Sequence, residues 1–203
     1  HLFLSGQESE VIYGNFIADV IKGNQWKKYG KEVQKGIKLH RFIDSFTDNH
    51  TMVHAAKARI RPYFGLTSGI VIDMYFDHFL SLKWNDYHEL ELSDFTRNMM
   101  TILSDYKNEM PSYTGVLFEK MRNQDWISSY KTIDGIAFAL GQMANRVKFN
   151  TQWNKAGDVL IEHYIDLEDD FRAFIPDLIS KVIENFNINL KLSNEFKFGN
   201  HKI

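Results

Sequence analysis

The run from Ile70 to Leu82 constrains the fold more than any other stretch, because apolar residues cover most of it and three ionisable side chains interrupt it. On a helix, Asp73 and Asp77 lie one turn apart on the same face, and His78 lies about 100° further round. Burying a carboxylate among aliphatic and aromatic neighbours is costly unless a cation, a metal ion or hydrogen bonds offset it. We therefore expect this helix to find a partner for its acids elsewhere in the chain.

Helical periodicity also dominates the rest of the chain, and strongly alternating β-branched runs are absent. Only three prolines occur, and the long last pattern, from about Trp153 to Phe186, is expected to kink at Pro176. The sequence predicts an all-α fold: a single-domain multi-helix bundle over residues 1–203, with a tail that frays from about residue 187.

Composition limits the classes of protein to which the chain can belong. Its 203 residues, 44% of them hydrophobic, suffice for a sizeable core. The lack of cysteine excludes disulfides, thiolate metal sites and a cysteine nucleophile. No apolar run approaches the roughly 20 residues that span a bilayer, and no leader pattern is visible. We expect a soluble, cytoplasmic protein without a membrane or nucleic-acid partner, since the net charge is −2.

Positive charge is nevertheless concentrated in one part of the sequence. Between Lys22 and Arg41 a single acid, Glu32, accompanies a run of basic residues. The run consists of Lys22, Lys27, Lys28, Lys31, Lys35, Lys38 and Arg41. It indicates either a surface for an acidic partner or an ordinary solvated helix face.

Acids and histidines recur on three predicted helices: Asp19; His40, Asp44 and Asp48; Asp73, Asp77 and His78. Nitrogen and oxygen ligands without sulfur suit manganese, magnesium, iron or zinc. The structural alternatives are a solvated Asp19, a surface pair of His40 with Asp44, and a buried pair of Asp77 with His78. A metal site and a set of structural pairs both remain open at this point.

Several ordered segments resemble one enzyme family over nearly the whole chain. They are Gly14-Asn15-Phe16-Ile17-Ala18-Asp19, Gly36 to Asp44 with Thr47-Asp48, Asp77-His78-Phe79-Leu80-Ser81 with Trp84, Met143-Ala144-Asn145-Arg146, and His163-Tyr164 with Leu167-Glu168, Phe171, Phe174 and Pro176. Together they are similar to the acyl carrier protein phosphodiesterases, also called acyl carrier protein hydrolyases. The opening His1-Leu2 resembles the Ala-His-Leu step that family members usually carry after a methionine and a short apolar lead, and a cloning remnant is the alternative.

The resemblance implies a helical fold related to the HD phosphohydrolases and a divalent metal, manganese before magnesium, iron or zinc. The reaction it implies is hydrolysis of the phosphodiester that joins 4'-phosphopantetheine to a serine of holo acyl carrier protein. A metal-bound water needs no serine or cysteine nucleophile, so carboxylates and imidazoles suffice.

The same resemblance assigns roles by position. The implied metal ligands are Asp19, His40, Asp77 and His78, which we expect to share one coordination sphere. The implied further site residues are Asp44, which completes the shell or accepts a proton, and Asp48 and Asp73, which orient the ligands. The implied partner-binding residues, which steer the acidic carrier protein, are Lys22, Lys35, Lys38, Arg41 and Arg146.

Two alternatives remain open. The first keeps the metal site and changes the substrate to a nucleotide or another small phosphodiester. The second is a non-catalytic helical module whose basic face binds an acidic protein.

Overall fold

The computed structural model describes residues 1–124, 126–144 and 152–198, and the regular elements within these ranges are helical. The helices are α1 (Ser9–Ile17), α2 (Lys31–Asn49), α3 (Thr51–Phe64), α4 (Ser68–Leu82), α5 (Trp84–Tyr87), α6 (Leu92–Asp105), α7 (Ser112–Gln124), α8 (Trp126–Ser129), α9 (Ile133–Ala144), α10 (Ala156–Glu162), α11 (Tyr164–Phe186) and α12 (Asn194–Phe198). Short 3-10 turns connect several of them, including Leu2–Ser5 and Ala18–Val20. The predicted all-α class is confirmed. None of the described helices combines the length and apolar character needed to cross a membrane.

Local signals explain where several helices begin. The Thr132 hydroxyl accepts the N–H of Gly135 across 3.0 Å at the start of α9. The His50 Nδ1 accepts the N–H of Met52 across 3.2 Å at the start of α3. Each bond satisfies a backbone donor that has no partner within its own helix.

The long last helical pattern contains a break upstream of Pro176, and the expected kink at Pro176 stays a prediction. The pattern from Trp153 divides at His163, between α10 and α11, and α11 continues through Pro176. Proline removes one backbone hydrogen bond. Buried residues on both sides of it, including Phe174 and Leu178, hold the helix by packing, which outweighs local propensity.

The chain forms two compact units, each assembled from segments that are distant in the sequence. Unit 1 comprises His1–Phe46, Asn85–Trp126 and Asp177–Ile203. In it, α1 packs against α6, and the ring of Phe16 meets that of Phe118 edge-on at 6.3 Å. Helix α1 is buried on most of its sides, from Val11 to Asn15 and at Ile17, and Asp19 in the turn that follows is exposed.

Unit 2 comprises Thr47–Trp84 and Ile127–Pro176. Helix α4 packs against α3 and α9 there, which buries the apolar side of the run from Ile70 to Leu82. The Tyr75 hydroxyl donates to the carbonyl oxygen of Ala156 across 2.7 Å. The expectation of one domain over residues 1–203 stays a prediction.

The segment after residue 187, where we expect fraying, is packed in the structure as far as Phe196. Ile188, Leu190 and Leu192 are buried, and Leu192 forms an antiparallel bridge with His88. Apolar residues at alternate positions bury one side of this extended segment. Their packing holds the segment in place although its composition is polar.

Candidate metal centre

Two glycines set the distance between α1 and α2 in unit 1. A Cβ atom on Gly36 would lie 2.2 Å from the carbonyl oxygen of Val11, and one on Gly14 would lie 2.2 Å from that of Val33. Both of these clashes are with backbone, so no side-chain rotation could relieve them. Only glycine permits this crossing, and it brings Asn15 of α1 within hydrogen-bond distance of α2.

The Asn15 amide fixes the tautomer of His40. Its Nδ2 donates to the Ser5 hydroxyl across 2.9 Å and to the carbonyl oxygen of His1 across 3.3 Å. Its Oδ1 is therefore the acceptor that lies 3.0 Å from the His40 Nδ1. The Nδ1 of His40 carries a proton, and the Nε2 is the nitrogen that faces outward.

The outward Nε2 of His40 faces two carboxylates. It lies 3.1 Å from Asp19 Oδ1 and 3.3 Å from Asp44 Oδ2. The His40 side chain is 8% exposed, whereas those of Asp19 and Asp44 are 77% and 51% exposed. A proton or a cation at this position would face both carboxylates.

His1 extends the cluster. Its ring stacks on that of His40 with the centroids 4.0 Å apart, and its Nε2 lies 3.1 Å from Asp44 Oδ1. One ligand atom from each of His1, His40 and Asp44 lies within 4.8 Å of the other two. This centre joins a buried imidazole to exposed ligands, so a large substrate can reach it.

The charge of Asp19 is influenced by the histidines of this cluster. The hydrogen bond from His40 holds the pKa of Asp19 below its usual value, and the nearby charges of His40, His1 and Lys22 act in the same direction. The guanidinium of Arg41 donates from Nη2 to the carbonyl oxygen of Ile21 across 2.9 Å, which ties the turn after Asp19 to α2. Asp19 thus stays ionised beside His40 at neutral pH.

The donor set fits a divalent cation. Two imidazole nitrogens and two carboxylates, without sulfur, are the ligands that manganese, iron, zinc or magnesium accepts. The Asn15 bond to the inner nitrogen of His40 is the kind of outer contact that orients a metal-binding histidine. The sequence assigned Asp19 and His40 as ligands and Asp44 as their neighbour, and the structure brings these three residues together.

His78 is buried in unit 2 with polar partners for both ring nitrogens. Its Nδ1 lies 2.8 Å from the carbonyl oxygen of Tyr130, which only accepts, so Nδ1 carries the proton. The Tyr164 hydroxyl then donates to Nε2 across 3.2 Å. Burial lowers the pKa of His78, which favours the neutral ring. Metal binding by His78 stays a prediction, and it requires that Nε2 exchange the Tyr164 hydroxyl for the ion.

The acids around His78 differ from the sequence-based picture. Asp73 and Asp77 are exposed on α4, so the expectation that burial forces them to find a cation is wrong. Asp48 is also exposed, and its carboxylate pairs with Lys57 Nζ across 2.7 Å. Their roles as ligand or orienting residues stay predictions that rest on the resemblance.

Four of the five basic residues predicted to bind a partner lie in unit 1, close to the centre in sequence. Lys22, Lys38 and Arg41 are exposed, and Lys35 is half-buried. Lys38 Nζ lies 4.7 Å from the centroid of the half-buried Trp26 ring, in a cation–π contact. Arg146 lies outside the described residues.

Asn15 was not among the predicted site residues, although a signal was present. It precedes Asp19 by four residues, a spacing that places both near one side of a helix end. Its use depends on the crossing of α1 over α2, which no local pattern reveals. Ser5, which holds the Asn15 amide, gave no signal at all.

Comparison with known proteins agrees with these features. The sequence model of a family described as acyl carrier protein phosphodiesterase matches residues 1–178. A protein of that name from Enterobacter sp. (strain 638) is 31% identical over 180 residues, which cover 88% of this chain and 93% of that protein. Another, from Klebsiella pneumoniae (strain 342), is 30% identical over 186 residues, which cover 91% and 96%. No solved structure matches the chain, so the likeness to HD phosphohydrolases stays a prediction.

Proposed function

This chain belongs to the acyl carrier protein phosphodiesterase family, and from that premise we propose that it hydrolyses the phosphodiester between 4'-phosphopantetheine and a serine of holo acyl carrier protein. The products are apo acyl carrier protein and free 4'-phosphopantetheine. The observation that carries the proposal is the cluster of His1, His40 and Asp44, whose ligand atoms lie within 4.8 Å of one another in unit 1, with Asp19 3.1 Å from the His40 Nε2.

In the proposed enzyme, Asp19, His40, Asp44 and His1 hold a divalent ion, and manganese is our first choice. When bound, such an ion lowers the pKa of a bound water and offsets negative charge on phosphate oxygens. Asn15 keeps the Nδ1 of His40 protonated and its Nε2 directed at the carboxylates. Asp44, one turn from His40, is placed to accept a proton from a water bound at the centre.

The exposed basic residues suit the proposed partner. Acyl carrier proteins are small and acidic, and Lys22, Lys38 and Arg41 present positive charge near Asp19 and His40 in the sequence and on the same unit. Opposite charges raise the rate of encounter and orient the partner more than they raise the final affinity. We propose that these residues steer the carrier protein towards the metal centre.

The decisive experiment is mass spectrometry of holo acyl carrier protein after incubation with this protein and manganese. The proposal expects loss of the prosthetic group, and a chelator should abolish that loss. Intact holo protein after a long incubation with several divalent metals would overturn the proposal. A panel of nucleotide diesters run in parallel tests the alternative substrate class.

Single substitutions test which residues belong to the proposed site. His40→Ala should reduce turnover at least 100-fold and also weaken manganese binding measured by calorimetry, since it removes a ligand. His54→Ala is the matched control, because His54 is an exposed histidine on α3. Asp77→Ala tests the assignment that rests on the resemblance alone: unchanged turnover in that variant would remove Asp77 from the site.

A further inference from the structure

A cleft with a volume of about 280 Å³ lies in unit 1, and the N-terminal segment forms part of its wall. Buried or half-buried apolar side chains form its floor, and exposed amide side chains stand at its rim. The floor includes Phe3, Phe95, Met99 and Ile102, and the rim includes Gln7 and Asn98. An apolar floor with a few polar groups at its edge is typical of a small-molecule site.

The two basic side chains that line the cleft are either neutral or paired with an acid. His88, which lines it, accepts the N–H of Leu90 at Nδ1 across 3.0 Å, and burial lowers the pKa of its ring, so the imidazole is neutral at neutral pH. The ammonium of Lys191, also in the lining, lies 3.6 Å from a carboxylate oxygen of Glu89. The ligand that fits is therefore an uncharged chain with apolar and amide groups.

The N-terminal segment connects the cleft to the metal centre. His1 stacks on His40, and the 3-10 turn Leu2–Ser5 leads from His1 to Phe3 and Gly6, which line the cleft. At about 2.0 Å of rise per residue in such a turn, the path from His1 to Gly6 is on the order of 10 Å. A chain attached to a phosphate at the centre would have to cover a distance of that order to reach the cleft.

We propose that this cleft binds the pantetheine arm of holo acyl carrier protein while the phosphodiester lies at the metal centre. The inference rests on the proposed function. Beyond its phosphate the arm carries methyl groups, a hydroxyl and amides, and no charge. The methyl groups match Phe95 and Met99, and the amides match Gln7 and Asn98.

The C-terminal segment forms part of the wall of this cleft. Leu190 and Lys191 line the cleft, and both follow residue 178, where the match to the family model ends. The N–H of Glu89 donates to the carbonyl oxygen of Lys191 across 3.0 Å, which holds the segment in place. The shape of the cleft thus depends partly on residues outside the matched region.

The test fills the cleft with a larger side chain and measures two ligands, free pantetheine and holo acyl carrier protein. Ile102→Trp places a large ring at a half-buried position of the floor. Val116→Trp is the control, since it introduces the same ring at an exposed position of α7. Binding of free pantetheine is measured by saturation-transfer NMR, and kcat and KM for holo acyl carrier protein by mass spectrometry. Asn98→Leu, at an exposed position, provides a second variant whose folding is not at risk.

Wild type and Val116→Trp should bind pantetheine, and Ile102→Trp should lose that signal. The KM of Ile102→Trp should rise about tenfold or more, with a smaller change in kcat. The reason is that the arm would lose the burial of about two methylene-sized groups, which corresponds to about a tenfold loss of affinity. Asn98→Leu should raise KM by a smaller factor. Pantetheine signals and KM values equal to wild type in both cleft variants would overturn the inference. Failure of wild type to release phosphopantetheine would overturn the proposed function, and the pantetheine signal reports on the cleft separately.

Discussion

Replacing Gly36 with alanine tests whether the crossing of α1 over α2 builds the proposed metal centre. The new Cβ would lie 2.2 Å from the carbonyl oxygen of Val11 and 2.7 Å from the N atom of Asn15. Restoring an ordinary separation of 3.4 Å requires a movement of about 1 Å, and backbone atoms on both helices must supply it. The bond between Asn15 Oδ1 and His40 Nδ1, now 3.0 Å long, would then exceed hydrogen-bond length.

The expected loss in the free energy of unfolding of Gly36→Ala has three contributions. Overpacking costs about 1–3 kcal/mol, and leaving the buried Asn15 and His40 groups without each other costs about 1–3 kcal/mol more. The higher helix propensity of alanine offsets about 1 kcal/mol. A net loss near 3 kcal/mol corresponds to a fall in Tm of about 6–12 °C for a chain of this length. Manganese affinity should fall about 10- to 100-fold, since the orienting contact is lost.

Gly115→Ala is the matched control, since both glycines lie in helices of unit 1. The Cβ of that variant would meet only Met110 Cβ, at 3.9 Å, so it should raise stability by up to about 1 kcal/mol through helix propensity alone. Thermal unfolding by circular dichroism and manganese titration by calorimetry give both readouts. A Gly36→Ala variant with wild-type Tm would refute the packing argument. A destabilised variant with unchanged manganese affinity would refute the link to the centre.

Three further predictions concern the orienting amide, a buried histidine and the basic surface. Asn15→Leu should lower manganese affinity about 10- to 100-fold in calorimetry, because no acceptor then orients the imidazole; affinity equal to wild type would contradict this role. Burial holds the pKa of His88 below its usual value of 6.5, so the unfolded chain binds the proton more readily and the free energy of unfolding should fall as pH drops below about 6.5. His88→Gln should reduce that slope in urea unfolding between pH 7.5 and 5.5, and an identical slope would exclude His88 as its source. Lys38→Glu should raise KM for holo acyl carrier protein about tenfold at low salt, with little effect in high salt, whereas Lys120→Glu, which makes the same charge change on α7, should not; a salt-independent or equal effect of both would argue against steering by Lys38.

The sequence by itself determined the helical class and one contact of the centre. Residues four apart on a helix are neighbours, so the spacing of His40 and Asp44 predicted their approach, which is 3.3 Å in the structure. Both follow from the sequence because helical hydrogen bonding and an amphipathic pattern act over a few residues.

Only the tertiary structure decided which helix faces meet. Nothing local shows that Gly14 and Gly36 touch across two helices, or that this contact delivers the Asn15 amide to His40. Equally, the apolar run around Asp73 and Asp77 suggested buried carboxylates, but packing covers the other side of α4 and leaves both acids exposed. A sequence pattern predicts that a helix has an apolar side and how wide that side is. Which helix packs against that side depends on contacts between residues that are far apart in the chain.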